Sequence, residues 1–179
     1  MKKRYYLLLI LLLYLFKGII YRSLFSYKKV KNRANITLTD KKVIAQINSI
    51  ANTEKNTLDK IITNCNKITS NSLSFTFDKV SSNPNDIINH KKANCIGYAA
   101  LYCSVGNYML KQQKLDHLYQ FKHYVAHIYF LNQNIHTFLK DPFFKDHDIV
   151  TVLDYSTHKQ TYIDPSLYDY SGIKTVNSL

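Results

Sequence analysis

The chain reads as an α+β domain carried behind an apolar N-terminal segment. Three observations predict this. Apolar residues recur at helical spacing over residues 41–68, residues 94–113 are too rich in small and apolar side chains to face water, and three runs rich in β-branched and aromatic residues follow residue 120. Helices, one buried helix and then an antiparallel sheet is the expected order.

Met1-Lys2-Lys3-Arg4 leads into an apolar run from Tyr5 to Phe16, which resumes after Lys17 as far as Tyr21. No small-x-small cleavage site and no lipobox cysteine follow. Residues 1–21 are therefore read as an uncleaved signal anchor in preference to a cleaved signal peptide, spanning over 5–21 if Lys17 snorkels. Three basic residues precede the run and six follow it. Counted literally, this balance would keep the domain in the cytoplasm. A basic start followed at once by a leucine core reads instead as an export signal, and an extracytoplasmic domain is expected.

Residues 22–39 are basic and polar and read as a linker, and 40–179 as the domain. Asp40 is placed to cap a helix carrying Val43, Ile44, Ile47 and Ile50. Asn56 or Thr57 starts a second helix carrying Leu58, Ile61, Ile62, Cys65 and Ile68, broken by the polar residues 69–72. Residues 73–77 alternate as a short strand, and 81–84 is turn chemistry. Asn94 is a good N-cap for a helix through Gln113. The strands are expected at 124–131, 148–153 and 160–163, with turns at 132–134 and 155–159.

The net charge is +12, but residues 1–33 hold nine Lys/Arg and no acid, leaving +3 on the rest. Most of the excess belongs to a membrane-flanking segment, and no nucleic-acid motif accompanies it. Nucleic acid is not an expected partner. Three cysteines without a CxxC pair make neither a disulfide framework nor a zinc site.

Cys95 follows the cap Asn94 directly, where free N–H groups and the helix dipole favour a thiolate. Gly97, Ala99 and Ala100 keep its surroundings small. Its own amide is a natural oxyanion donor, and Ser74 is a candidate for the second. Cys65 and Cys103 lie among apolar neighbours and read as inert core thiols. A lone Cys95 would read as core too, but a thiolate with a base and an orienting carboxylate downstream does not. His147 opens the second strand run and Asp164 closes the third, seventeen residues later. A hairpin turning at 155–159 brings both to one end.

The Asn94-Cys95-Ile96-Gly97-Tyr98-Ala99 stretch, the strand-opening His147 and the Tyr162-Ile163-Asp164-Pro165 stretch together resemble the transglutaminase-like superfamily over roughly residues 70–170. The resemblance implies a papain-like core with Cys95 as nucleophile, His147 as general base and Asp164 as its orienting partner, with no metal or organic cofactor. The chain departs from many relatives in having no Trp, with Asp148 and Tyr162 in those neighbourhoods.

A second pattern, His123 to Phe130 followed by Asn134-Ile135-His136, resembles the NlpC/P60 cell-wall peptidases. It would make His123 or His127 the base and His136 the third residue. The Gly-Asp-Leu segment of that family is missing. His90, His117 and His158 read as surface or turn residues, 141–144 as a loop anchored by Phe143 and Phe144, and Tyr168 and Tyr170 as cover for a sheet edge.

The expected function is acyl transfer on an amide through a cysteine thioester, with hydrolysis (a peptidase or amidase) preferred to cross-linking. The substrate would be a peptide or protein amide, cell-wall peptide among the candidates. The competing class is a catalytically silent binding module that keeps the groove.

Overall fold

The computed structural model describes residues 2–51 and 57–179, with side chains from Tyr5 onward except Gln46, Ile50 and Ala51. In chain order the elements are α1 (Lys2–Leu15), α2 (Lys17–Leu24), β1 (Phe25–Asn32), α3 (Lys41–Ala51), α4 (Leu58–Ser72), β2 (Ser74–Phe75), α5 (Ile87–His90) and β3 (Lys92–Ala93). There follow α6 (Cys95–Gln112), β4 (Tyr119–Phe130), β5 (Gln133–Asn134), two 3-10 turns (Ile135–Thr137 and Pro142–Phe144), β6 (His147–Asp154), β7 (Gln160–Ile163), α7 (Pro165–Ser171) and β8 (Asn177–Ser178). The class is mixed α+β, as the pattern predicts.

The caps form where the side chains call for them. Asp40 Oδ1 accepts from the amides of Lys42 and Val43, and Thr57 from that of Lys60. The alternative cap Asn56, like the side chain of Ile50, lies outside the described residues. Val43, Ile47, Ile61, Cys65 and Ile68 are all buried. Residues 69–72 do not break α4 but form its last turn, because Thr69 is itself buried.

Helix α6 is the centre of the main core. Thirteen of its residues are buried, which leaves almost no polar stripe. Gly106 is required by close approach: a Cβ there would stand 2.6 Å from the Phe121 ring of β4. Gly97 is likewise pressed on Ala93 of β3, with 2.8 Å to its Cβ.

The main sheet runs β7-β6-β4-β1-β8, with β5 beside β4. β4 pairs antiparallel with β6 through Tyr119↔Asp154 to Ala126↔His147, and β6 pairs with β7 through Val150↔Ile163 to Leu153↔Gln160. The predicted hairpin therefore exists. The predicted strand 73–77 shortens to two residues, paired with β3.

The segment read as a linker is corrected. Residues 25–32 are a strand of the main sheet, antiparallel to β4 and parallel to β8. Lysines in a strand obscured it. Lys29 lies over the rings of Tyr124 and Tyr162 at 4.8 and 5.4 Å and bonds Gln160, so its stem covers the sheet while its charge reaches a partner. Tyr27 of the same strand is 1% exposed and centres a second core with Ala126, Ile149 and Val176.

The apolar N-terminal run also differs from expectation. Residues 5–21 do not form one helix: Tyr5–Leu15 and Lys17–Leu24 meet at a 67° bend, and among the described residues no single helix is long and apolar enough to cross a membrane. Lys17 turns back over the Tyr14 ring at 4.3 Å. α2 then folds onto the domain, with Tyr21 stacked on Phe25 and the Arg22 carbonyl accepting from Asn177.

Candidate active site

The N-terminus of α6 is built by Asn94. Its backbone is extended, and its Oδ1 accepts from the amides of Ile96 at 3.1 Å and Gly97 at 3.4 Å. The cap thus takes the second and third amides of the helix and leaves that of Cys95, the first, aimed out of the helix end. The Cys95 side chain lies in the wall of an apolar cleft of about 380 Å³.

His147 and Asp164 meet there. Continuing the Val150↔Ile163 pairing by one step sets Asp164 opposite Ile149, on the face that His147 shares. The contact closes at 2.8 Å between His147 Nε2 and Asp164 Oδ2. With Nε2 engaged, Nδ1 is the nitrogen left for Cys95, which lines the same cleft. Burial works to lower the His147 pKa. The Asp164 carboxylate, by charge and hydrogen bond, and then Cys95 outweigh it and hold the imidazole well above the ordinary histidine value.

Asp164 is held on both oxygens. Oδ1 caps α7 by accepting from the Leu167 amide at 2.9 Å and the Ser166 hydroxyl at 2.8 Å. Oδ2 receives His147 and the Tyr27 hydroxyl, the latter at 2.9 Å. Burial would raise this carboxyl, yet the charge and hydrogen bond of His147, the Leu167 amide and Ser166 bring it below its usual value. Four donors fill a carboxylate that is 2% exposed.

Tyr27 escapes sequence reasoning because β1 does. Its hydroxyl also shares a 2.6 Å hydrogen bond with Tyr21 of α2. Burial foremost, then the nearby Asp164 charge, holds the Tyr27 phenol well above its normal range. It remains a donor throughout the working pH range. Its ring stands 6.3 Å from that of His147.

Asp148, the neighbour that replaces an expected aromatic, points away from the triad. Strand alternation sends it to the opposite face from His147, where it is fully buried between Arg33 and His123. Arg33 binds it through two nitrogens, the second at 3.0 Å, and His123 Nε2 lies at 2.8 Å. Burial alone would raise this carboxyl; hydrogen bonds from His123 and Arg33 lower it overall.

Of the alternative set, His127 and His136 stand 5.5 Å apart ring to ring and His136 lines the cleft, but their ring nitrogens face other partners. His123 is committed to Asp148. His127 Nδ1 faces Asn134 at 3.3 Å. His136 accepts from the Ile128 amide on Nε2 at 2.9 Å and donates from Nδ1 to the Phe144 carbonyl at 2.6 Å. Burial lowers its pKa, in keeping with that neutral tautomer.

Ser74 does not serve as the second oxyanion donor through its amide, which is spent on the Lys91 carbonyl in the β2–β3 pairing. Phe143 and Phe144 sit on a 3-10 turn against Phe77 and line the cleft. Tyr168 and Tyr170 belong to α7, and Tyr170 stands against Phe75 of strand β2 beside the cleft. Among the described residues no group of three or more His, Cys, Asp or Glu is placed to hold a metal ion. Comparison with protein-family models, with curated proteins and with solved structures gives no match to this chain.

Proposed function

We propose that this chain is a transglutaminase-like cysteine enzyme that transfers acyl groups from amides, with hydrolysis as the outcome in preference to cross-linking. The observation that carries the reading is the joined set of Cys95, His147 and Asp164 at the end of a buried helix, facing a cleft. Cys95 Sγ attacks the carbonyl carbon, His147 holds the thiol proton as imidazolium, and the Cys95 amide faces the developing oxyanion. The C–N bond breaks as His147 delivers the proton to the amine. Water then gives its proton back to His147 and its oxygen to the thioester, releasing the acid and the thiol. A peptide or protein amide is the substrate class, cell-wall peptide included.

The exposed apolar side chains of α1 support a membrane site for this helix: Tyr5 to Leu15 are each 41–69% exposed. The basic start and leucine core support a domain outside the cytoplasm, and activity of a cytoplasm-only reporter fused after Leu179 would reverse that side.

The reading is tested by thiol labelling. Burial raises the thiol pKa of Cys65, and that of Cys103 to about 12. A thiolate-directed reagent at pH 6 is expected to modify Cys95 first, and His147→Ala to slow it. Equal, slow modification of all three cysteines would support the silent binding module instead.

A further inference from the structure

The cleft beside Cys95 differs from a general peptide groove in what it lacks. Apart from the triad, its polar groups are nearly all spent: Ser166 on Asp164, His136 on Ile128 and Phe144, and Tyr21 on Tyr27. Asp146 stands at the exposed rim. What remains is hydrocarbon and aromatic surface from Phe75, Phe77, Leu139, Phe143 and Tyr170. A peptide backbone laid along such a wall would forfeit its hydrogen bonds with water, whereas an apolar group would gain by burial. The rim is unusually bare, with Phe77 67% and Tyr170 71% exposed. The wall of the cleft is also continuous with the N-terminal segment: Tyr21 lines it, and a Cβ on Gly172, which ends α7, would lie 3.7 Å from Lys17 Nζ. The root of the apolar helix α1 therefore lies beside the cleft.

We infer that the acyl group transferred to Cys95 is a large hydrophobic one. This rests on the acyl-transfer reading. The carbonyl carbon joins Sγ of Cys95 and the leaving group departs, with its proton where it is an amine, while the hydrophobic remainder fills the aromatic cleft. Water then cleaves the thioester to acid and thiol. A fatty acyl chain and the aromatic side chain of a peptide acid share this chemistry.

The full chain in detergent is given 4-nitrophenyl esters from acetyl to octanoyl, with the Cys95→Ala rate subtracted. Here nitrophenolate leaves as the C–O bond breaks. The value of kcat/KM is expected to rise about fourfold for each added methylene until the cleft is filled. Phe143→Asp should reduce the octanoyl-to-acetyl ratio at least tenfold, a ratio measured within one protein and so independent of how much of it is folded. A phenylacetyl ester run alongside separates the two sources: a higher rate than for octanoyl, the linear chain of equal carbon count, assigns the cleft to an aromatic residue, a lower one to a lipid-like chain. A flat series together with selective, His147-dependent labelling of Cys95 overturns the inference and leaves the enzyme reading standing. No turnover with any ester together with unselective labelling overturns both.

Discussion

The Tyr27 hydroxyl donates to Asp164 Oδ2, the same oxygen that meets His147 Nε2, across 137 residues of sequence. The Asp164 carboxylate is therefore fixed from two sides: by the helix that it caps and by a strand that arrives from the N-terminal segment. Removing only this hydroxyl should loosen Asp164 without opening a cavity. Tyr27→Phe is expected to lower kcat roughly tenfold, at the low end for a hydrogen bond to a charged group. KM should be unchanged, because the ring still packs on His147. A change confined to KM would mean that Tyr27 contacts substrate instead.

The paired shifts of His147 and Asp164 set a pH window. The His147 pKa is raised on folding, so its contribution to stability is complete below about 6.5, the unfolded value, and is lost as pH rises through the folded one. The Asp164 pKa is lowered, so its contribution is present above about 3.9 and is lost as pH falls through its folded value. The couple is worth most between about pH 4 and 6.5. Asp164→Asn should cost about 2 kcal/mol in that window, or a Tm fall of roughly 4–8 °C. The gap between the two proteins should narrow on both sides. Thermal melts from pH 3 to 10 give the comparison, and a gap independent of pH would contradict the ion pair.

Asp148 is adjacent to His147 in sequence, yet the strand turns it to Arg33 and His123. It should act on stability and not on chemistry. Asp148→Asn leaves a guanidinium without its counter-charge, but Arg33 is 35% exposed and water can take up part of that loss. The expected loss is about 2 kcal/mol, below the range for a fully buried broken pair. Cys95 labelling should stay within about twofold of the parent, while a chemical-denaturation midpoint falls. Loss of labelling in a fully folded variant would make Asp148 part of the site.

These two acids show what the sequence could and could not carry. The α6 cap and the turn at 155–159 are local signals: the first sets Cys95 at a helix end and the second brings His147 and Asp164 together, while the joining of the two is what the resemblance implies. The turn of Asp148 to the opposite face of the sheet is also implicit in the strand alternation over 147–154, although its partners are not. Arg33 and Tyr27 lie in a lysine-rich stretch that mimics a linker, because a strand whose lysine stems cover tyrosines shows little apolar periodicity. Tyr27 contacts Asp164 only after the sheet is assembled, and no pattern within a window of ten or twenty residues encodes such a pairing. The same reasoning explains Ser74. Its alternating neighbourhood marked a strand, but only the β2–β3 pairing reveals that its amide is already used.

The bend at Phe16 separates two roles that one continuous anchor would have merged. α1 presents exposed apolar side chains, whereas α2 holds Tyr21 against Tyr27 and Phe25. A chain starting at Lys17 should therefore keep Cys95 labelling within about twofold of the full chain. A chain starting at Phe25 loses the Tyr21 hydroxyl bond, the ring stack and the Arg22 carbonyl that receives Asn177. It should label roughly fivefold more slowly, as expected for losing one net hydrogen bond of about 1 kcal/mol. Tyr21→Phe in the full chain isolates the hydroxyl and should reproduce most of that drop. If the two shortened chains label alike, α2 has no hold on the triad, and Tyr27 positions Asp164 unaided.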